Sequence, residues 1–61
     1  MSLILSNGNI YQPHQIIQGG HIWLENGRIK AISAEPFQQI SPDTRVIDVK
    51  GQIISPGFID L

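Results

Sequence analysis

Cysteine is absent from the 61 residues, so neither a disulfide nor a thiolate metal site can hold this chain together. The two histidines, His14 and His21, stand seven apart with no cysteine nearby, a spacing that fits no zinc module. No apolar run approaches the roughly 18 residues that a membrane helix needs, which argues against a membrane role. Charge of either sign is sparse. Four basic and five acidic residues leave a net charge of −1 without any basic cluster, which disfavours a nucleic-acid partner. No positive charge precedes the short apolar run Leu3-Ile4-Leu5, so the start does not read as a secretory signal, and a cytoplasmic protein is the expectation. Helical periodicity is missing over any useful length, as are low-complexity tracts and internal repeats. Gly19-Gly20 lacks the Gly-x-Gly-x-x-Gly pattern of a phosphate loop, and Ser55-Pro56-Gly57 lacks the Gly-x-Ser-x-Gly pattern of a nucleophile elbow.

These absences have an energetic consequence. A domain of about 60 residues buries only about 60% of the surface its unfolded chain exposes, so it is marginal by itself. Small scaffolds make up the shortfall with disulfides, a metal or a partner. The first is excluded here and no metal-binding spacing exists, so something outside these residues is expected to complete the core.

What is present reads as strand. Leu3-Ile4-Leu5 is an apolar run, and Asn7-Gly8 after it marks a turn or bulge. Asn9-Ile10-Tyr11 resumes the extended character. Gln12-Pro13-His14-Gln15 reads as a turn, because proline fixes φ and removes a donor. Ile16-Ile17 reads as a short strand ended by Gly19-Gly20. The clearest local signal is His21 to Ile32, with Asn26-Gly27 as the centre of a type I′ hairpin. A straight register would set Glu25 against Arg28 as a charge pair, Leu24 against Ile29, Trp23 against Lys30 and Ile22 against Ala31. The segment 33–44 reads as a polar connector pinned by Phe37 and Ile40, with a turn at Ser41-Pro42-Asp43-Thr44. Arg45–Val49 and Gln52–Ser55 flank Lys50-Gly51, which suggests a second hairpin. The expectation is all-β: five to seven short strands, with little or no helix, forming part of a sandwich or open barrel.

No constellation of side chains amounts to a catalytic site. His14 reads as a solvated loop residue and His21 as an edge-strand residue. Asp43 and Asp48 read as a turn residue and a solvent-facing strand residue, and Glu25 and Glu35 flank turns without a paired carboxylate. Asp60 stands alone inside the apolar segment Phe58-Ile59-Asp60-Leu61, where a carboxylate must be paired or hydrogen-bonded. A structural role is favoured for it over a catalytic one. Trp23, Tyr11, Phe37 and Phe58 are too dispersed for a base-stacking platform and read as core.

Three pieces, in order, resemble the N-terminal end of the amidohydrolase superfamily. They are Leu3-Ile4-Leu5-Ser6-Asn7-Gly8-Asn9-Ile10, then Ile22-Trp23-Leu24-Glu25-Asn26-Gly27-Arg28-Ile29-Lys30-Ala31-Ile32, then the run from Val46 to Leu61 with its Pro56-Gly57-Phe58-Ile59-Asp60 step. Within the superfamily the segment is most similar to the N-acetylglucosamine-6-phosphate deacetylases, with dihydroorotase, hydantoinase and deaminase relatives as the alternative.

The resemblance implies that residues 1–55 form the N-terminal part of a composite β-sandwich, and that residues 56–61 enter the first strand of a (β/α)₈ barrel. It implies a metal-dependent hydrolase, homo-oligomeric, with a divalent ion, zinc or iron, held by residues beyond Leu61. This segment would then hold no catalytic, cofactor-binding or metal-binding residue, and its partners would be the C-terminal strands and barrel of the same enzyme and a small-molecule substrate. Two other readings stand beside it: a complete, non-enzymatic β-module that binds through a sheet edge, and one chain of a nicked enzyme.

Overall fold

The computed structural model describes residues 1–55, and the expectations for Pro56–Leu61, Asp60 among them, lie outside the described residues. Five strands and no helix are present among those residues: β1 (Ser2–Gln12), β2 (Gln15–Glu25), β3 (Arg28–Ser33), β4 (Arg45–Asp48) and β5 (Ile53–Ile54). They form one mixed sheet in the order β3-β2-β1-β4, with β5 also paired to β1. The all-β reading is borne out.

β1 is the axis of the sheet. On one side it runs antiparallel to β2 from Ser2↔Glu25 to Gln12↔Gln15, closed by the Pro13-His14 turn. On the other side it takes β4 and β5 in succession, both parallel. Asn7-Gly8 is the bulge of the two possibilities, with register shifts on either side of Gly8 and Asn7 at φ 61°.

Gly19-Gly20 does not end a strand, contrary to the sequence reading. β2 runs through both residues. Gly20 lies opposite Gly8, and the reason for both glycines is space. A Cβ on Gly20 would come within 2.7 Å of both Ile10 Cδ1 and Ile17 Cγ2, and one on Gly8 within 2.5 Å of Ile54 Cδ1 and 2.9 Å of Val49 Cγ2. The side chains of Ile10, Ile17, Val49 and Ile54 occupy the volume that a side chain here would take.

The Asn26-Gly27 hairpin forms as expected, with φ of 53° and 80°, and Glu25↔Arg28 and Leu24↔Ile29 hold. Beyond them the straight register fails by one residue. A shift between Leu24 and Trp23 leaves Lys30 extra, so Trp23 pairs with Ala31 and Ile22 with Ile32. Ile29 and Ile32 are three apart, and a regular strand would send them to opposite faces. The bulge lets both pack against the same core cluster.

Lys50-Gly51 makes a tight turn, with φ of 55° and 80° and a Gln52 N to Val49 O hydrogen bond of 3.1 Å. It is not a hairpin. The chain leaves the turn still running parallel to β1, so β4 and β5 are successive partners of one strand. Backbone bonds from Val49 N to Ser6 O, Gly51 N to Asn7 O and Asn9 N to Gln52 O, all 2.8–2.9 Å, fix the turn against the β1 bulge. Turn chemistry was legible locally, but which strand the segment joins depends on the open edge of β1.

The core lies mainly on one face. Ile10, Ile22 and Ile54 are its buried centre, with Leu5, Ile17, Leu24, Ile29, Ile32 and Val49 packed around them. The opposite face carries Ile4, fully buried, beside Trp23. Phe37 folds onto that face, but Ile40 does not anchor the connector and is exposed. Overpacking a filled site costs about 1–3 kcal/mol, so Gly20→Ala and Gly8→Ala should each destabilise the intact protein by that amount. Urea unfolding of each variant against the parent checks this, and an unchanged midpoint would contradict the close packing.

Candidate functional site

A polar row crosses the sheet where β1 bends. Asp48, Ser6, His21 and Ser33 are neighbours by register on β4, β1, β2 and β3. His21 is 9% exposed, and its Nδ1 lies 2.9 Å from Ser6 Oγ. Phe37 meets the imidazole edge-on at 6.4 Å between ring centroids. The expectation of an edge residue for His21 is therefore corrected: β2 is interior to the sheet, and the ring is buried with a hydroxyl partner. That is how a buried polar group is satisfied. Neither Ser33 nor the row as a whole was legible in the sequence, because the pairing that aligns it spans 42 residues between Ser6 and Asp48.

The other candidates are dispersed. His14 is exposed in the turn between β1 and β2. Glu25 faces Arg28, yet its Oε1 accepts a hydrogen bond from Ser2 Oγ, and no ion pair joins the two among the described residues. Asp48 Oδ1 accepts from Lys50 N at 2.8 Å and from Asn7 Nδ2 at 3.3 Å, which commits it to the turn. Asp43 is a turn residue as expected, with its backbone N 3.3 Å from Ser41 Oγ. Glu35 is exposed, and its backbone N donates to Ser33 Oγ. No group of three or more histidine, cysteine, aspartate or glutamate side chains is placed to hold a metal among the described residues. No helix there is long and apolar enough to cross a membrane.

A small aromatic cluster sits beside the polar row. Phe37 meets Trp23 in a T-shaped contact at 5.2 Å, and Lys30 Nζ lies 4.2 Å from the centroid of the indole. The lysine covers the tryptophan even though the register sets Ala31 opposite it. The indole Nε1 and Thr44 Oγ1 are buried without a hydrogen-bond partner among the described residues.

What the arrangement offers is surface for packing. Val46 and Ile47 on β4 and Ile53 on β5 are 54%, 39% and 67% exposed, although β-branched runs such as Val46-Ile47 and Ile53-Ile54 read as strands covered on both faces. The core cluster lies on one sheet face, with no second sheet against it among the described residues.

Comparison with known proteins gives this surface a context. The chain is 40% identical over 62 aligned residues to a dihydroorotase of Syntrophus aciditrophicus, and equally to one of Aquifex aeolicus, in each case across all of its own length and 14% of the relative's. Over 74% of its length it is 41% identical to an imidazolonepropionase of Symbiobacterium thermophilum, 12% of which is covered. Among solved structures, an amidohydrolase superposes with a TM-score of 0.73 at 33% identity, over 87% of this chain and 13% of that one. A prolidase in complex with N-methylphosphonate-L-proline shares the fold at 22% identity, with a TM-score of 0.73. No protein-family model matches. The chain thus spans about one-seventh of the curated dihydroorotases it matches.

A cation–π contact at an exposed site contributes about 0.5–1 kcal/mol. Lys30→Ala should lower the stability of the intact protein by that amount and Lys30→Arg should retain it, as read by denaturant midpoint.

Proposed function

We infer that residues 1–61 are a segment of an amidohydrolase-superfamily enzyme, and that they build its β-domain and carry none of its chemistry. The observation behind this reading is the 40% identity to dihydroorotases across the whole segment, together with a sheet that superposes on an amidohydrolase. Residues 1–55 are the N-terminal part of a composite β-sandwich, and residues 56–61 lead into the barrel. The exposed Val46, Ile47 and Ile53 fit such a division, as apolar side chains that further parts of the parent would cover.

The reaction proposed for the parent is hydrolysis of a cyclic amide, as in the dihydroorotases. Deacetylation of N-acetylglucosamine 6-phosphate, the activity that the sequence resemblance favoured, finds no support among these relatives, which are dihydroorotases and an imidazolonepropionase. A divalent metal would be the source of Lewis acidity in the parent. The described residues do not fit it: His21 is bonded to Ser6, Asp48 to Lys50 N, and His14 stands alone. The proposed ligands therefore lie elsewhere in the parent. This segment acts by packing and by positioning the barrel.

Two measurements test the reading. Purified parent should open dihydroorotate and should release no acetate from N-acetylglucosamine 6-phosphate. Acetate release without ring opening would restore the deacetylase reading, and turnover of imidazolone propionate alone would move the assignment to that relative. In addition, His14→Ala should leave kcat and KM within about twofold of the parent, since surface substitutions away from special features are nearly neutral. A loss of more than tenfold in kcat would place chemistry in this segment.

A further inference from the structure

The chain contains two Asn-Gly steps, Asn7-Gly8 and Asn26-Gly27, and the fold holds them differently. Asparagine is thermolabile, and a following glycine, with no Cβ, least hinders the ring closure by which its amide is lost. Both asparagines are exposed and left-handed, at φ 61° and 53°. Around Asn7 the backbone is committed. Its carbonyl accepts from Gly51 N at 2.8 Å, its side-chain Nδ2 donates to Asp48 Oδ1, and Gly8 is buried against Ile54 and Val49. The peptide between Asn26 and Gly27 is free. Neither its C=O nor its N–H takes part in a backbone hydrogen bond among the described residues, and a Cβ on Gly27 would meet nothing within 4 Å.

Positive φ at both Asn26 and Gly27 is the type I′ form of the turn. Type II′, the other form that suits a two-residue hairpin, differs by a flip of the central peptide. Glycine takes either sign of φ, so the flip leaves Glu25↔Arg28 and Leu24↔Ile29 in place. In type II′ the first central residue has ψ of about −120°. There its Cβ is eclipsed with the next N, the arrangement that a five-membered ring through Cγ requires.

We propose that Asn26-Gly27 is a site of spontaneous deamidation, reached by this flip, and that Asn7-Gly8 is not. Gly27 N loses its proton to hydroxide or buffer base and bonds to Asn26 Cγ. The Cγ–Nδ2 bond breaks, and Nδ2 takes a proton and leaves as ammonia. Water then opens the imide. Cleavage of the ring nitrogen from Cγ gives aspartate, and cleavage from the main-chain carbonyl gives isoaspartate, whose backbone runs through Cβ. Each product adds one negative charge to a chain whose net charge is −1. Isoaspartate also adds a main-chain atom to a turn whose geometry is set by two residues. It thereby loosens the pairing of β2 with β3 and the packing of Leu24 and Ile29 on the core. The hairpin records the age of the protein, whatever reaction the parent catalyses.

The test incubates the intact full-length protein at body temperature in mildly acidic and mildly alkaline buffer. Peptide mapping by mass spectrometry, with aspartate and isoaspartate forms separated, follows both asparagines. Asn26 should convert, faster in the alkaline sample. Asn7 should convert at least about a hundredfold more slowly, because reaction there waits on opening of the sheet. A free peptide of residues 22–31 sets the time scale. If Asn26 stays intact in the protein after the peptide has converted, or if Asn7 keeps pace with Asn26, the proposal is overturned. Fractions carrying isoaspartate should melt below fresh protein. Fresh Asn26→Asp should not, since aspartate tolerates the left-handed turn position and adds the charge without the extra main-chain atom. Isoaspartate fractions with an unchanged Tm would overturn the effect on the hairpin.

Discussion

The structure depends on one constraint: β1 must serve three strands at once. An antiparallel partner lies along one side, and two parallel partners follow one another along the other. The bulge at Asn7-Gly8-Asn9 falls where β4 gives way to β5. Asn7 takes the left-handed conformation, Gly8 vacates the space that Ile54 and Val49 fill, and Asn9 ties the Lys50-Gly51 turn down through both its backbone N and its side-chain Nδ2. Most of the core is a result of this, because Ile10 beyond the bulge and Ile22 and Ile54 on its partners converge on one cluster.

The polar row explains how the bend is kept hydrated or satisfied without opening the core. A bulge interrupts the ladder and leaves backbone and side-chain polar groups to be paired locally. Ser6 and His21 pair with each other, and Asp48 takes the turn amide of Lys50 and the side chain of Asn7. These are the residue types that a catalytic reading would single out, and the sheet uses them as struts. The same division of labour agrees with a segment that packs and positions while the chemistry lies elsewhere.

Sequence reading succeeded where structure is decided locally. Asn26-Gly27 turns as its dihedral preferences require, Pro13-His14 forms the expected turn, and Phe37 anchors its connector through the aromatic contact. It failed where a distant strand decides. Gly19-Gly20 looked like punctuation because nothing nearby reveals that Ile10 and Ile17 claim the space above Gly20. Lys50-Gly51 looked like a reversal because a turn's sequence carries no information about which edge its flanks will join. The one-residue slip at Lys30 was in principle readable, since Ile29 and Ile32 share no face on a regular strand. His21 was legible as a strand residue but not as a buried one, since its burial depends on the pairing of β2 with β1.

The order of the strands also sets a timetable. β1, β2 and β3 form a meander of short-range pairings, whereas joining β4 to β1 closes a loop of 42 residues, from Leu3 to Arg45, and pays the entropy of that closure first. The meander can therefore assemble early and β4 later. In the proposed parent, synthesis of the remaining chain at about 5–20 residues per second would take on the order of tens of seconds. For that interval Val46, Ile47 and Ile53 of the proposed segment stand open to water and to other chains.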